Sequence, residues 1–184
     1  DTQTVDFLLQ QCLARFKLAD NTVVPSSNAA SILDTLLQQT TSNDIADRRT
    51  CKRVRTKYQF FARQPYRLVT CVCYKHHFCV VDVNFDVKEP AVFKSVEVYD
   101  SLNGGNTITY NEPIYPFLRN LQRFIMLFCD SESTNNSMRE HDFISRATYA
   151  PCPSQCNSHD CSLFAIITLM HVVQKKALSR DTFC

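Results

Sequence analysis

Residues 162–173 read SLFAIITLMHVV. An apolar run of this length with no charged side chain folds as a buried helix and must be covered by a sheet or by other helices. Directly before it stands Gln155-Cys156-Asn157-Ser158-His159-Asp160-Cys161. Cys161 therefore occupies the point where a polar loop becomes the first turn of a core helix. The unpaired N–H groups and the positive dipole end at such a point stabilise a thiolate and any anion forming beside it. A cysteine so placed is a candidate nucleophile, and the question becomes whether the chain supplies it with a base.

At 184 residues the chain is read as a single domain, 1–184, long enough for a real core. A net charge of +2 calls for neither nucleic acid nor a membrane as partner. Asp1 opens a polar amphipathic segment rather than a basic and then apolar leader, so no signal peptide is expected. No apolar run approaches the ~18 residues that span a bilayer.

Ten cysteines admit three readings. A disulfide framework belongs to small secreted chains with poor cores. Here Cys12, Cys71, Cys73, Cys79 and Cys129 lie inside apolar periodic segments, where a reduced thiol behaves as a small hydrophobe, and reduced intracellular thiols are the expectation. Structural zinc is the third reading, through Cys152, Cys156, His159 and Cys161 with Cys71, Cys73, His76 and His77. Their spacings do not repeat the paired C-x-x-C signature of such sites, and no metal is expected.

Val5, Leu8, Leu9, Cys12, Leu13 and Phe16 recur at helical spacing, which predicts an amphipathic helix over about residues 4–18. Ser26 or Ser27 can cap a second helix with Ala30, Leu33, Leu36 and Leu37 inside. Arg48–Lys57, RRTCKRVRTK, is the most basic stretch; it can serve nucleic acid, nuclear import or an acidic partner, and equally forms a solvated face. The period then changes. Residues 68–74 and 78–85 are rich in β-branched and aromatic side chains and predict two strands joined by Lys75-His76-His77, with a third at Ser95–Asp100. Asn103-Gly104-Gly105 ends the third strand. Pro113 and Pro116 open a helix carrying Phe117, Leu118, Leu121, Phe124, Ile125 and Phe128. A polar loop over 130–139 and a short strand over 143–149 lead through Pro151-Cys152-Pro153 to Cys161. The pattern is α+β, a mostly antiparallel central sheet packed on helices.

His76 and His77 stand where one strand hands over to the next, and Asp100 stands at the far end of the strand that follows. If those strands are neighbours, as short connections imply, an imidazole and a carboxylate meet at one end of the sheet. A carboxylate there orients the imidazole and stabilises its protonated form, and the imidazole accepts the Cys161 proton. From the residues alone, either histidine can be that base.

His77-Phe78 at a strand start, Tyr99-Asp100-Ser101-Leu102, and Gln155-x-x-x-x-Asp160-Cys161 before an apolar helix resemble the ubiquitin-like-protein-specific cysteine proteases: the Ulp and SENP deSUMOylases and their adenain-like relatives of clan CE. The resemblance runs through most of the chain. It implies a papain-like cysteine protease of the Ulp/adenain type with its nucleophile at a buried helix N-terminus. It further implies His77 as general base, Asp100 as its orienting carboxylate, Cys161 as nucleophile and Gln155 as the oxyanion-hole side chain. Phe78 and Asp160 are expected at the substrate. The chain departs from the family in having Phe78 where tryptophan is usual, no tryptophan at all, Ser162 where glycine follows the nucleophile, and His159 close before it.

The implied activity is hydrolysis after the C-terminal glycine of SUMO or ubiquitin, with the modifier and its conjugates as partners, no cofactor and no membrane. The protein is expected to be monomeric and to act inside a cell, nuclear or cytoplasmic, or in a host cytosol. The alternatives are a clan CE processing endopeptidase, an acyltransferase with the same triad, and a non-catalytic modifier-binding module.

Overall fold

The computed structural model describes residues 2–15, 18, 22–25, 67–86, 92–103, 107–129, 143–157, 159–176 and 178. Its elements are α1 (Thr2–Leu13), β1 (Thr22–Val23), β2 (Arg67–Tyr74), β3 (His77–Asp86), β4 (Val92–Tyr99), α2 (Tyr115–Cys129), β5 (Ala147–Tyr149) and α3 (Cys161–Val173). The helix expected near Ser26 and the basic stretch Arg48–Lys57 lie outside the described residues.

The strands form one sheet in the order β1-β2-β3-β4-β5. β2, β3 and β4 pair antiparallel, whereas β1 joins β2 and β5 joins β4 in parallel. The sheet is therefore antiparallel at its centre and parallel at both edges. β2 and β3 read as nearly continuous apolar runs because both faces of the sheet are covered. On one face Leu68, Val72, Val81, Val83 and Val98 pack with Ile114, Phe117, Leu118, Leu121 and Phe143. On the other, Val69, Cys71, Phe78 and Val80 pack with Val5 and Leu9 of α1 and with Cys161, Ala165 and Leu169 of α3.

α3 is the apolar run with which the sequence is most constrained, and it packs on β2, β3 and α1. Its inner side, including Ala165, Ile166, Leu169 and Met170, is buried. Leu163, in its first turn, is 52% exposed, so the helix forms an outer layer rather than a fully enclosed core. The far end is tied to the sheet by Arg67, which donates to Asp82 through Nε and a terminal guanidinium nitrogen (2.6 Å at the shortest) and also to the Val172 carbonyl at 2.9 Å. A cation at a helix C-terminus complements its dipole, and here it joins the Lys175 N–H (3.0 Å) on the Val172 carbonyl. Asp82 is 2% exposed. Arg67→Ala is therefore expected to lower stability by about 3–5 kcal/mol by stranding that carboxylate, whereas a double replacement of Arg67 and Asp82 by Met and Leu costs far less. Urea unfolding of the two variants tests this, and equal losses would contradict it.

The strand expected over 143–149 is shorter than its apolar pattern suggests. Residues 143–144 are helical, Arg146 N–H turns back to the Phe143 carbonyl, and only Ala147–Tyr149 pairs with β4. Phe143 is fully buried, edge-on to Phe93 at 4.6 Å between ring centres, so its apolar character serves a core contact rather than a strand.

Candidate active site

The hairpin between β2 and β3 places the first candidate side chain. Tyr74 pairs with His77, which leaves only Lys75 and His76 in the loop. Both have positive φ, 45° and 64°. Two successive left-handed residues make the type I′ geometry that suits the twist of a hairpin, although Asn-Gly is its usual sequence. His76 is thereby committed to an exposed turn. His77 becomes the first residue of β3, half-buried, with its ring edge-on to Tyr74 at 5.7 Å.

β4 runs antiparallel beside β3 and ends where β3 begins, so Asp100 arrives next to His77. His77 Nε2 and Asp100 Oδ1 are 2.7 Å apart. Tyr74 donates its hydroxyl to Asp100 Oδ2 at 2.7 Å, and the Leu102 N–H donates to Oδ1 at 2.9 Å. Burial alone would push the Asp100 carboxyl up. The hydrogen bonds from His77, Tyr74 and Leu102 outweigh it and hold the group below the usual carboxylate range. An ionised Asp100 keeps the proton of a neutral His77 on Nε2 and leaves Nδ1 as the nitrogen that can accept one. Burial and hydrogen bonding to this carboxylate push the Tyr74 phenol far up, so Tyr74 stays a donor.

Cys161 comes to this same end of the sheet with the helix layer that covers Phe78. It is the first residue of α3, 6% exposed, in the apolar cluster that holds Phe78 and, at its margin, Cys73, the strand partner of Phe78. The first intrahelical bond runs from the Phe164 N–H to the Asp160 carbonyl. The N–H groups of Cys161, Ser162 and Leu163 thus lie ahead of that bond, at the positive end of the helix. Asp160 occupies the N-cap position, but its side chain does not cap the helix. Asn157 draws it away: Asn157 Nδ2 donates to Asp160 Oδ2 at 2.7 Å, while Asn157 Oδ1 accepts the N–H groups of His159 and Asp160. The helix start is so kept from being neutralised by its own carboxylate. His159 is exposed in the same loop.

Gln155 reaches the site because the loop after β5 follows β4 to its end. The Ala150 N–H bonds the Val98 carbonyl, and the Gln155 N–H bonds the Ser101 carbonyl at 3.1 Å. The Gln155 side chain is buried, with Oε1 accepting from the Ser101 hydroxyl at 2.6 Å and Nε2 donating to the Asn157 carbonyl at 2.5 Å. Tyr74 and Ser101 are the two polar side chains that sequence reasoning passed over. Tyr74 reads as a strand aromatic and Ser101 as a turn residue, and only the register of β2 and the path of the 150–157 loop reveal their partners.

Cys12, Cys71, Cys73, Cys79, Cys152, Cys156 and Cys161 are free. Burial pushes the Cys71, Cys73 and Cys79 thiols up, which marks them as protonated packing groups. Among the described residues no group of three or more His, Cys, Asp or Glu is arranged to hold a metal ion, and no helix is long and apolar enough to cross a membrane.

Residues 17–183 match the profile of the Ulp1 protease family, C-terminal catalytic domain. Several solved structures share the fold. The SUMO protease Ulp1 with its catalytic cysteine oxidised to a sulfinic acid is 18% identical with a TM-score of 0.61, covering 97% of this chain and 68% of that one. The C-terminal Ulp1 protease domain in complex with Smt3, the yeast ortholog of SUMO, is 17% identical with the same TM-score, over 97% and 67%. The Xanthomonas campestris effector XopD bound to ubiquitin is 10% identical with a TM-score of 0.56, over 94% and 75%. No curated protein sequence matches the chain. With a histidine–aspartate pair at one end of the central strands, a cysteine at the start of the buried helix and the family profile across nearly the whole length, the chain belongs to the Ulp1 protease family of cysteine peptidases.

Proposed function

We propose that this single domain hydrolyses the bond after the C-terminal glycine of a ubiquitin-like modifier, SUMO or ubiquitin, through Cys161, His77 and Asp100. The observation that carries the reading is the 2.7 Å contact between His77 and a buried, ionised Asp100 at the sheet end where α3 begins with Cys161. The complexes of the yeast Ulp1 domain with Smt3 and of XopD with ubiquitin support a modifier as the partner.

In this mechanism His77 Nδ1 takes the Cys161 proton, and the thiolate attacks the glycine carbonyl. The developing oxyanion is held by an amide N–H of Gln155 and by the N–H groups at the start of α3. The His77 imidazolium, stabilised by Asp100, protonates the leaving amine and then, as a base again, activates the water that releases the acyl group. Phe78 is buried beside Cys161, so it shapes the floor under the nucleophile by apolar contact. Asp160 stands exposed at the mouth of the same loop, where an incoming tail can meet it.

A panel of SUMO and ubiquitin probes carrying a C-terminal electrophile tests the reading by intact-mass measurement. One probe is expected to add once, at Cys161, and to be lost with Cys161→Ala. Reaction of small alkylating agents at Cys161 with no adduct from any modifier would overturn the modifier as substrate.

A further inference from the structure

We propose that Ser101 is a positioning residue for the oxyanion donor, its hydroxyl setting the amide plane of Gln155. This rests on the reading of Gln155 as that donor. Three contacts define the arrangement: the Ser101 hydroxyl to Gln155 Oε1 at 2.6 Å, Gln155 Nε2 to the Asn157 carbonyl at 2.5 Å, and the Gln155 backbone N–H to the Ser101 carbonyl at 3.1 Å.

Each end of the amide is held for a chemical reason. A carbonyl can only accept, so the Asn157 oxygen requires the NH₂ end of Gln155 beside it and excludes the flipped amide. A hydroxyl can donate, and Ser101 supplies the proton that the opposite end needs. A primary amide has two N–H bonds. One is spent on Asn157, which leaves the second as the donor that a substrate oxyanion can use. Ser101 and Gln155 are each 8% exposed, so water is a poor substitute for the hydroxyl. Without it the amide gains a rotation that swings the second N–H off the reacting oxygen.

The placement of Ser101 adds weight. Asp100, its neighbour, receives the Leu102 N–H on Oδ1 and the Asn103 N–H on its carbonyl, so the turn that ends β4 is fixed by its own bonds. One rigid turn then serves both halves of the chemistry. Asp100 directs the base, and Ser101 directs the group that stabilises charge on the substrate.

The proposal separates from a general structural role by which constants move. With a C-terminal fluorogenic amide of the modifier whose probe labels Cys161, Ser101→Ala is expected to lower kcat by about 10- to 100-fold with KM little changed. The acid limb of the kcat/KM profile stays in place, because His77 and Asp100 are untouched. Gln155→Ala lowers kcat by about 10²–10³-fold, and adding Ser101→Ala to it lowers kcat no further. If alanine at 101 unfolds the domain, Ser101→Thr and Ser101→Val make the comparison at equal shape: threonine keeps most of kcat and valine loses it. A Ser101→Ala loss equally large in the Gln155→Ala background, a rise in KM at constant kcat, or a shifted acid limb would overturn the proposal alone. Full kcat in Gln155→Ala would remove the oxyanion role of Gln155 and the proposal with it.

Discussion

Cys161→Ala is expected to reduce turnover by about 10⁴–10⁶-fold, to the level set by binding and oxyanion stabilisation without a nucleophile. The fold should hardly notice. Cys161 opens α3 and contributes one sulfur to an apolar cluster dominated by Val69, Val80, Ala165 and Leu169. Alanine is a good helix former, and the loss of a single heavy atom there costs about 1 kcal/mol. The variant should therefore melt close to the parent and still bind the modifier. The rate is measured with the fluorogenic amide, stability by thermal melting, and binding by calorimetry. Residual turnover within tenfold of the parent, with the fold intact, would remove Cys161 as nucleophile.

The second large effect falls on Asp100, and two substitutions there should behave differently. Asp100→Ala removes both the charge and the acceptor facing His77, and a loss of about 10³–10⁴-fold in kcat is expected. Asp100→Asn should be milder. The Leu102 N–H bonds Asp100 Oδ1 and can only donate, so an asparagine keeps its oxygen there, still facing His77 Nε2. Its NH₂ then points at the Tyr74 hydroxyl, which can turn to accept. His77 keeps its tautomer and loses only the stabilisation of its charged form, about 10- to 100-fold in rate. An asparagine variant as slow as the alanine one would refute this account.

The same carboxylate gives the fold an acid limit. Its pKa is lowered on folding, so its stabilising contribution is complete above the unfolded value of about 3.9 and disappears as pH falls through the lower folded one. Asp100→Ala should flatten the acid side of the melting profile in that range.

Much of this was legible in the chain. The charge-free run after Cys161 announced a core helix, and β-branched residues on either side of Lys75-His76 announced the central hairpin. These are long, strongly patterned segments, in which burial alone dictates the residue types. The sheet edges were not legible. β1 comprises two residues and β5 three, and both pair in parallel with strands distant in sequence, so neither has a local pattern. The choice between His76 and His77 needed the family resemblance, because composition does not say how many residues a turn contains. Tyr74 and Ser101 were passed over for a related reason. A hydrogen bond across strands, or between a turn and a loop more than fifty residues away, is set by register and leaves no mark in spacing.

The two-residue turn at Lys75-His76 carries a consequence for how such a chain can change over generations. His77 meets Asp100 through the pairing of β3 with β4, whereas Tyr74 meets it through the pairing of β2 with β3, so one residue inserted or deleted in the loop that slipped β2 against β3 would turn Tyr74 away from Asp100. The turn's composition is far freer than its length: neither side chain is needed for the bonds at Asp100, and asparagine and glycine would sit there with less backbone strain. Lineages descending from this chain can rewrite those two letters more freely than they can respace them, because the spacing holds the Tyr74 hydroxyl on Asp100.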